Sequence, residues 1–234
     1  YINITDKFIT KLYNSKITEL IIEHNNFKEN KGLEKTDGKK KTTIRIPKLC
    51  DANLAGTAKH SKKCTLILTE GDSAKTMAIA GLSIIGRDLY GVFPLKGKVL
   101  NVRNCGINDI QKNTEIANIK KIIGLQSNKD YSTIDEGDDW PLRYGKIMLM
   151  TDQDLDGSHI KGLIINLFDC LWPSLLDNGF VCSMITPIIK ATYKSIVKSF
   201  YTIQDFENWQ EEMPNSKSYS IKYYKGLGTS TTNE

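Results

Sequence analysis

Residues 64–70, CTLILTE, and 146–152, KIMLMTD, narrow the folds open to this chain more than any other stretch. Each is a short β-branched and aliphatic run that ends in an acid and lacks a polar residue at every second position. A strand with one wet face alternates polar and apolar side chains, whereas a strand without alternation must be covered on both faces. Helices for that cover follow at once: SAKTMAIAGLSIIG (73–86) after the first run and GSHIKGLIINLFDCLW (157–172) after the second. LYGVFPL (89–95) reads as another strand, INDIQKNTEIANIKKIIGL (107–125) as one helix, and VCSMITPIIKAT (181–192) as a further strand. The alternation predicts an α/β fold, a mostly parallel sheet flanked by helices. Phe168, Leu171 and Trp172 fall on the core side of their helix.

Two flanks surround this centre. Ile4, Phe8, Leu12, Ile17, Leu20, Ile21 and His24 recur near helical spacing and predict one N-terminal amphipathic helix over 4–24. NNFKENKGLEKTDGKKKTT (25–43) is polar and Lys-rich and reads as a linker or mobile loop with solvated lysines. The tail from 198 to 226 reads as strand, short helix and strand, an α+β extension.

Composition excludes several classes. Five cysteines without a CxxC pair argue against a disulfide framework or zinc ribbon and suit a reducing intracellular compartment. No apolar run is long enough to cross a bilayer, so no membrane partner is expected. The net charge of +5 is compatible with a polyanionic partner without requiring one. The chain begins at Tyr1 and stops in a polar stretch, and we expect a piece of a longer protein.

The acids at the strand ends carry the chemistry. Open α/β sheets bind ligands beyond the carboxyl ends of their strands. In LTEGDSA (68–74), Glu70 leaves its strand, Gly71 permits a turn, and a helix starts near Ser73, a candidate cap rather than a nucleophile. In MLMTDQDLDGSHI (148–160), Asp152 and Asp154 project to one side of an extended backbone and Asp156 follows at the Gly157 turn. If the two strands are neighbours, Glu70 faces the aspartates. Two unit charges ~4 Å apart repel by ~4 kcal/mol at an effective dielectric of about 20. A hard divalent cation such as Mg²⁺ relieves that repulsion and bridges carboxylates to phosphates; water and the following helix N-terminus are the plainer alternative. An EF-hand calcium loop fails, because its twelfth position is Leu163 rather than Glu and a strand precedes it. His159 is not an expected ligand of such a cation, although it and Lys161 are placed to face a nucleic acid. No GxxxxGK[ST] loop occurs, so no nucleotide site is expected in this chain.

Glu70 followed by a DxDxD signature resembles the TOPRIM domain of topoisomerases, primases and some nucleases. EGDSAKT, GVFPLKGKVLNVR, LRYGKIMLMTDQD.DGSHIKGL and KYYKGLGTST, in this order over residues 47–234, resemble the type IIA DNA topoisomerases of the eukaryotic kind. A TOPRIM nuclease or primase with the same carboxylates is the alternative, and the second and fourth blocks disfavour it.

The resemblance implies a division into a transducer-end helix and basic linker (1–46), a Rossmann-like TOPRIM metal-binding domain (47–185) and a C-terminal extension (186–234). It implies that Glu70, Asp152, Asp154 and Asp156, all ionised at neutral pH, bind two Mg²⁺ ions, replaceable by Mn²⁺ or Ca²⁺. Glu70, Asp152 and Asp154 would be catalytic in reversible transesterification of double-stranded DNA. Lys98 and Asn101, with Lys96 and Arg103, would contact the DNA backbone, and Lys225 would lie near the active centre. Leu155, where relatives often have a polar residue, would point away from the metal. Arg143-Tyr144 mimics the catalytic Arg-Tyr pair but falls at the start of a TOPRIM strand, so Tyr144 is expected to pack, with the true nucleophile beyond residue 234. The parent protein would be a nuclear homodimer that uses ATP in an upstream domain.

Overall fold

In the computed structural model of the chain, the two acid-terminated runs become β1 (Thr65–Thr69) and β3 (Lys146–Met150), parallel neighbours with Thr69 opposite Met150. The structure describes residues 4–134, 139–224 and 226. β2 (Tyr90–Pro94) flanks β1 and β4 (Val181–Ser183) flanks β3, giving an all-parallel sheet in the order β2-β1-β3-β4.

Both faces are covered, as the missing alternation requires. Leu66 and Leu68 of β1 join Ile147 and Leu149 of β3 in the main core, closed by α5 (Thr114–Ile123) and α6 (Leu155–Leu171). Ile67, Val92 and Met150 belong to a second cluster on Ala74, Ala78 and Leu82 of α3 (Gly71–Ile85). Each fully buried aliphatic side chain stabilises the fold by ~1.5–3 kcal/mol. Phe168 and Trp172 are fully buried, their rings 5.6 Å apart, and Leu171 packs against the same core.

The expected helix over 107–125 is in fact two, α4 (Ile107–Lys112) and α5, because the Asn113 side chain takes the Ile116 N–H at 3.0 Å and caps a new start. The strand expected over 181–192 also divides. Val181–Ser183 stays in the parallel sheet, while β5 (Ile189–Tyr193) enters a second, antiparallel sheet, β6-β5-β7, with β6 (Ile196–Phe200) and β7 (Ser220–Tyr223). α7 (Ile203–Glu212) packs Phe206 and Trp209 onto Phe200, with ring centroids 5.1–5.8 Å apart. This small aromatic core is the α+β extension.

The N-terminal expectations are corrected. A single helix over 4–24 is replaced by α1 (Asp6–Asn14) and α2 (Ile17–Glu34), separated where Lys16 takes φ +56°. α2 continues through residues 25–34 of the segment read as a linker, where Lys28, Glu29, Lys31 and Glu34 are good helix formers without an apolar period to announce them. Phe8, Leu12, Leu20 and Ile21 are exposed.

Residues 36–50 are pinned rather than mobile. The Gly38 N–H reaches Leu125 O at 2.8 Å, and Ile44, Ile46 and Leu49 pack on the core. Cys50 exchanges two backbone hydrogen bonds with Val92, covering the edge of β2. Buried Lys120 ion-pairs with Asp37 at 2.8 Å and donates to Leu33 O, Thr36 Oγ1 and Ser127 Oγ. All five cysteines are free thiols.

Candidate metal centre

The site forms where β1 and β3 end together. Glu70 N–H bonds to Met150 O at 3.2 Å, which carries the pairing one residue past β1, and Gly71 at φ +80° turns the chain straight into α3. Asp152 N–H then donates to Glu70 Oε2 at 3.3 Å. The Glu70 carboxylate thereby meets the backbone of Asp152, 82 residues on in sequence, at the paired strand ends where the sequence argument had Glu70 face the aspartates.

The aspartates do different things. Asp154 is the cap of α6, its Oδ1 accepting the Gly157 N–H at 2.7 Å. Gly157 is required here: a Cβ on it would lie 2.1 Å from Asp152 O. Buried Thr151 donates to Gly157 O at 3.3 Å and holds the helix start against the strand end. Asp156 points to solvent and ion-pairs with Lys98 Nζ at 2.9 Å. Leu155 is 90% exposed. Ser73 lies inside α3 rather than at its cap, which is Glu70.

Glu70 and Asp156 shift in opposite directions. Burial raises the Glu70 carboxyl above its usual 4.5, and the charges of Asp152, Asp154 and Asp156 add to the rise against the Asp152 N–H. The Lys98 hydrogen bond and charge hold Asp156 below its usual range. Glu70 therefore senses all three aspartates. Among the described residues, no group of three His, Cys, Asp or Glu side chains is arranged to hold a metal ion. The donors present are hard carboxylate oxygens with a partly desolvated member, a chemistry that suits a hard divalent cation rather than a soft metal.

The stretch from Leu95 to Asn104 lies along α6. Buried Leu95, Val99 and Val102 anchor it, leaving the polar side chains outward. Lys98 meets Asp156 at the start of α6, Asn101 Oδ1 accepts from Asn166 Nδ2 at 2.7 Å, and Arg103 pairs with Asp169 at 2.6 Å. Lys96 is exposed and its N–H reaches Glu115 Oε1 at 2.9 Å. His159 is exposed beside the acids, and Lys161 Nζ lies 3.5 Å from Gln153 Oε1. Lys225 lies outside the described residues. Sequence reasoning missed Thr151, Gly157 as a packing residue, Asn166 and Asp169. Only the last two left a trace, a polar i, i+3 pair on an apolar helix.

Arg143 and Tyr144 are interior. Tyr144 OH donates to Asp51 and accepts from Ala52 N–H, while Arg143 pairs with Asp51 and donates to Ile122 O. Burial pushes the Tyr144 phenol far up, the opposite of nucleophile activation.

Residues 65–185 match the family model described as "Toprim domain", and 184–234 match "C-terminal associated domain of TOPRIM". DNA topoisomerase 2 of Drosophila melanogaster is 54% identical over 232 residues, 99% of this chain and 16% of that protein. DNA topoisomerase 2-beta of Homo sapiens is 53% identical over 233 residues, 99% of this chain and 14% of that protein. The chain thus spans about a sixth of the length of such relatives. A Plasmodium falciparum topoisomerase II structure, described as the DNA-binding, cleavage and re-ligation domain, superposes with a TM-score of 0.74 at 54% identity, covering 82% of this chain and 26% of that one. The Toprim match implies a divalent-metal site. With that model matched across more than half of its length, the chain belongs to the Toprim family, in a form similar to that of the eukaryotic type II DNA topoisomerases.

Proposed function

We propose that this chain carries the metal-binding half of the DNA cleavage–religation centre of a type II DNA topoisomerase. The observation that carries the reading is the contact between Glu70 and Asp152 at adjacent parallel strand ends. Residues 47–185 act as the metal-binding unit, 186–234 as its extension, and 1–46 as the connection to an ATP-using unit upstream. The parent protein is a nuclear homodimer acting on double-stranded DNA.

Glu70 and Asp152 would hold one Mg²⁺, and Asp152 with Asp154 a second, with Asp156 assisting. Asp154 keeps Oδ2 for this role while Oδ1 caps α6. When bound, the ions supply charge neutralisation at the scissile phosphate and stabilise the leaving 3′ oxygen. Positioning of the ions and of the DNA backbone falls to the chain. Thr151 and Gly157 fix the strand end that carries Asp152. Lys98, Asn101, Lys96 and Arg103 present donors to phosphate oxygens along one edge, which positions the backbone without reading sequence. A tyrosine from another segment attacks the phosphodiester, forming a 5′-phosphotyrosyl bond as the 3′-oxygen bond breaks, and the released 3′-hydroxyl reverses the step.

The test is Glu70→Gln in the full-length protein. DNA binding stays near normal and covalent capture of DNA falls by about 100-fold or more, the scale of losing one charge-stabilising group. Normal capture would overturn the assignment.

A further inference from the structure

Lys98 has two claims on it. The ion pair at 2.9 Å commits it to Asp156, the outermost of the four acids. Its place on the exposed edge, after Gly97 at φ +73° and before Asn101, suits it to a DNA phosphate. Asp156 is contested in turn, by the ammonium and by any divalent ion at the aspartates. Both side chains are more than half exposed, 54% for Lys98 and 67% for Asp156, so the pair exchanges readily.

We propose that Lys98 is an internal counter-cation whose displacement from Asp156 couples divalent-ion binding at the outer carboxylates to the grip on DNA. This rests on the metal-site reading above and adds a regulation to it. An ion that draws on Asp156 places two positive charges beside the ammonium and expels it. The released side chain is then available to a phosphate on the same edge. By reciprocity, a phosphate that draws Lys98 away raises the affinity of Asp156 for the ion by the same factor. The outer carboxylates therefore load more readily when DNA is seated, and the ion-free protein keeps Asp156 neutralised without a metal.

A double-mutant cycle tests the first half. Mn²⁺ is titrated into the full 234-residue chain, Lys98→Met, Asp156→Asn and the double variant, with free Mn²⁺ read by electron paramagnetic resonance. Lys98→Met tightens Mn²⁺ about 1.5- to 5-fold in the native background, the range of an exposed pair, and leaves it unchanged in the Asp156→Asn background. An equal gain in both backgrounds means simple removal of charge and overturns the coupling while leaving the metal site standing. No Mn²⁺ binding by any variant overturns both. The second half is read in the full-length protein by fluorescence anisotropy of a short duplex, with Ca²⁺ or with EDTA. Ca²⁺ tightens DNA binding more in the native protein than in Lys98→Met, because the ion's own contact with phosphate survives the substitution and the release of Lys98 does not; an equal gain in both, or no gain in the native protein, overturns the proposal.

Discussion

Gly157→Ala tests whether the site depends on how closely α6 starts against the end of β3. An added Cβ would lie 2.1 Å from Asp152 O, 3.0 Å from its carbonyl carbon and 3.1 Å from Thr151 Oγ1, where ordinary contacts begin at 3.4 Å. The nearest two atoms are backbone and cannot rotate away, so the strand end must retreat by over an ångström. Overpacking of this kind costs ~3 kcal/mol, at the upper end of its usual range. The better helix propensity of alanine returns ~1 kcal/mol. The net loss of ~2 kcal/mol lowers Tm by ~4–8 °C in a chain of this size. Gly162→Ala on the same helix is the control, since its Cβ meets nothing within 4 Å. It should gain up to ~1 kcal/mol. Calorimetry in EDTA gives the two Tm values, and a Mn²⁺ titration gives the second consequence: only Gly157→Ala weakens the ion, by about 10- to 100-fold, as the loss of a supporting contact does. Equal Tm values for the two variants would refute the packing argument, and unchanged Mn²⁺ affinity in Gly157→Ala would refute its link to the site.

Glu70→Gln has a pH signature in the ion-free protein. Because the folded carboxyl titrates above 4.5, the folded state holds its proton more tightly than the unfolded chain. Its contribution to stability is therefore greatest below that pH and is lost as pH rises through the raised value. In EDTA the variant should melt above the native protein at neutral pH and level with it near pH 4, whereas saturating Mn²⁺ should reverse the neutral-pH ranking. Lys120→Met breaks a buried ion pair and three further hydrogen bonds and should cost ~3 kcal/mol in denaturant unfolding. The loss should show as faster amide exchange over residues 33–38, without change in Mn²⁺ affinity.

The parallel sheet and the acids at the ends of its central strands were legible because they rest on local signals. CTLILTE and KIMLMTD lack alternation, and such strands are buried on both faces whatever the surroundings. The meeting of Glu70 and Asp152 then followed from one further step, that β1 and β3 are neighbours. What stayed hidden depends on contacts distant in sequence. Nothing in NNFKENKGLEKTDGKKKTT foretells that Lys120 reaches back to Asp37, or that Gly38 seats on Leu125. Lys98 read as a phosphate ligand, but its partner Asp156 comes from another motif, and a lysine's charge alone does not say which anion it holds in the meantime. The division of 181–192 between two sheets hangs on packing of Phe200 and Trp209 that no pattern within 181–192 records.

A crystal of the chain grown with Mn²⁺ and measured at an anomalous wavelength addresses the central claim directly. The account predicts a peak bound by carboxylate oxygens of both Glu70 and Asp152, at ~2.0–2.6 Å as hard-cation sites require. A peak held only by Asp154 and Asp156, with the Glu70 carboxylate turned away, would contradict it.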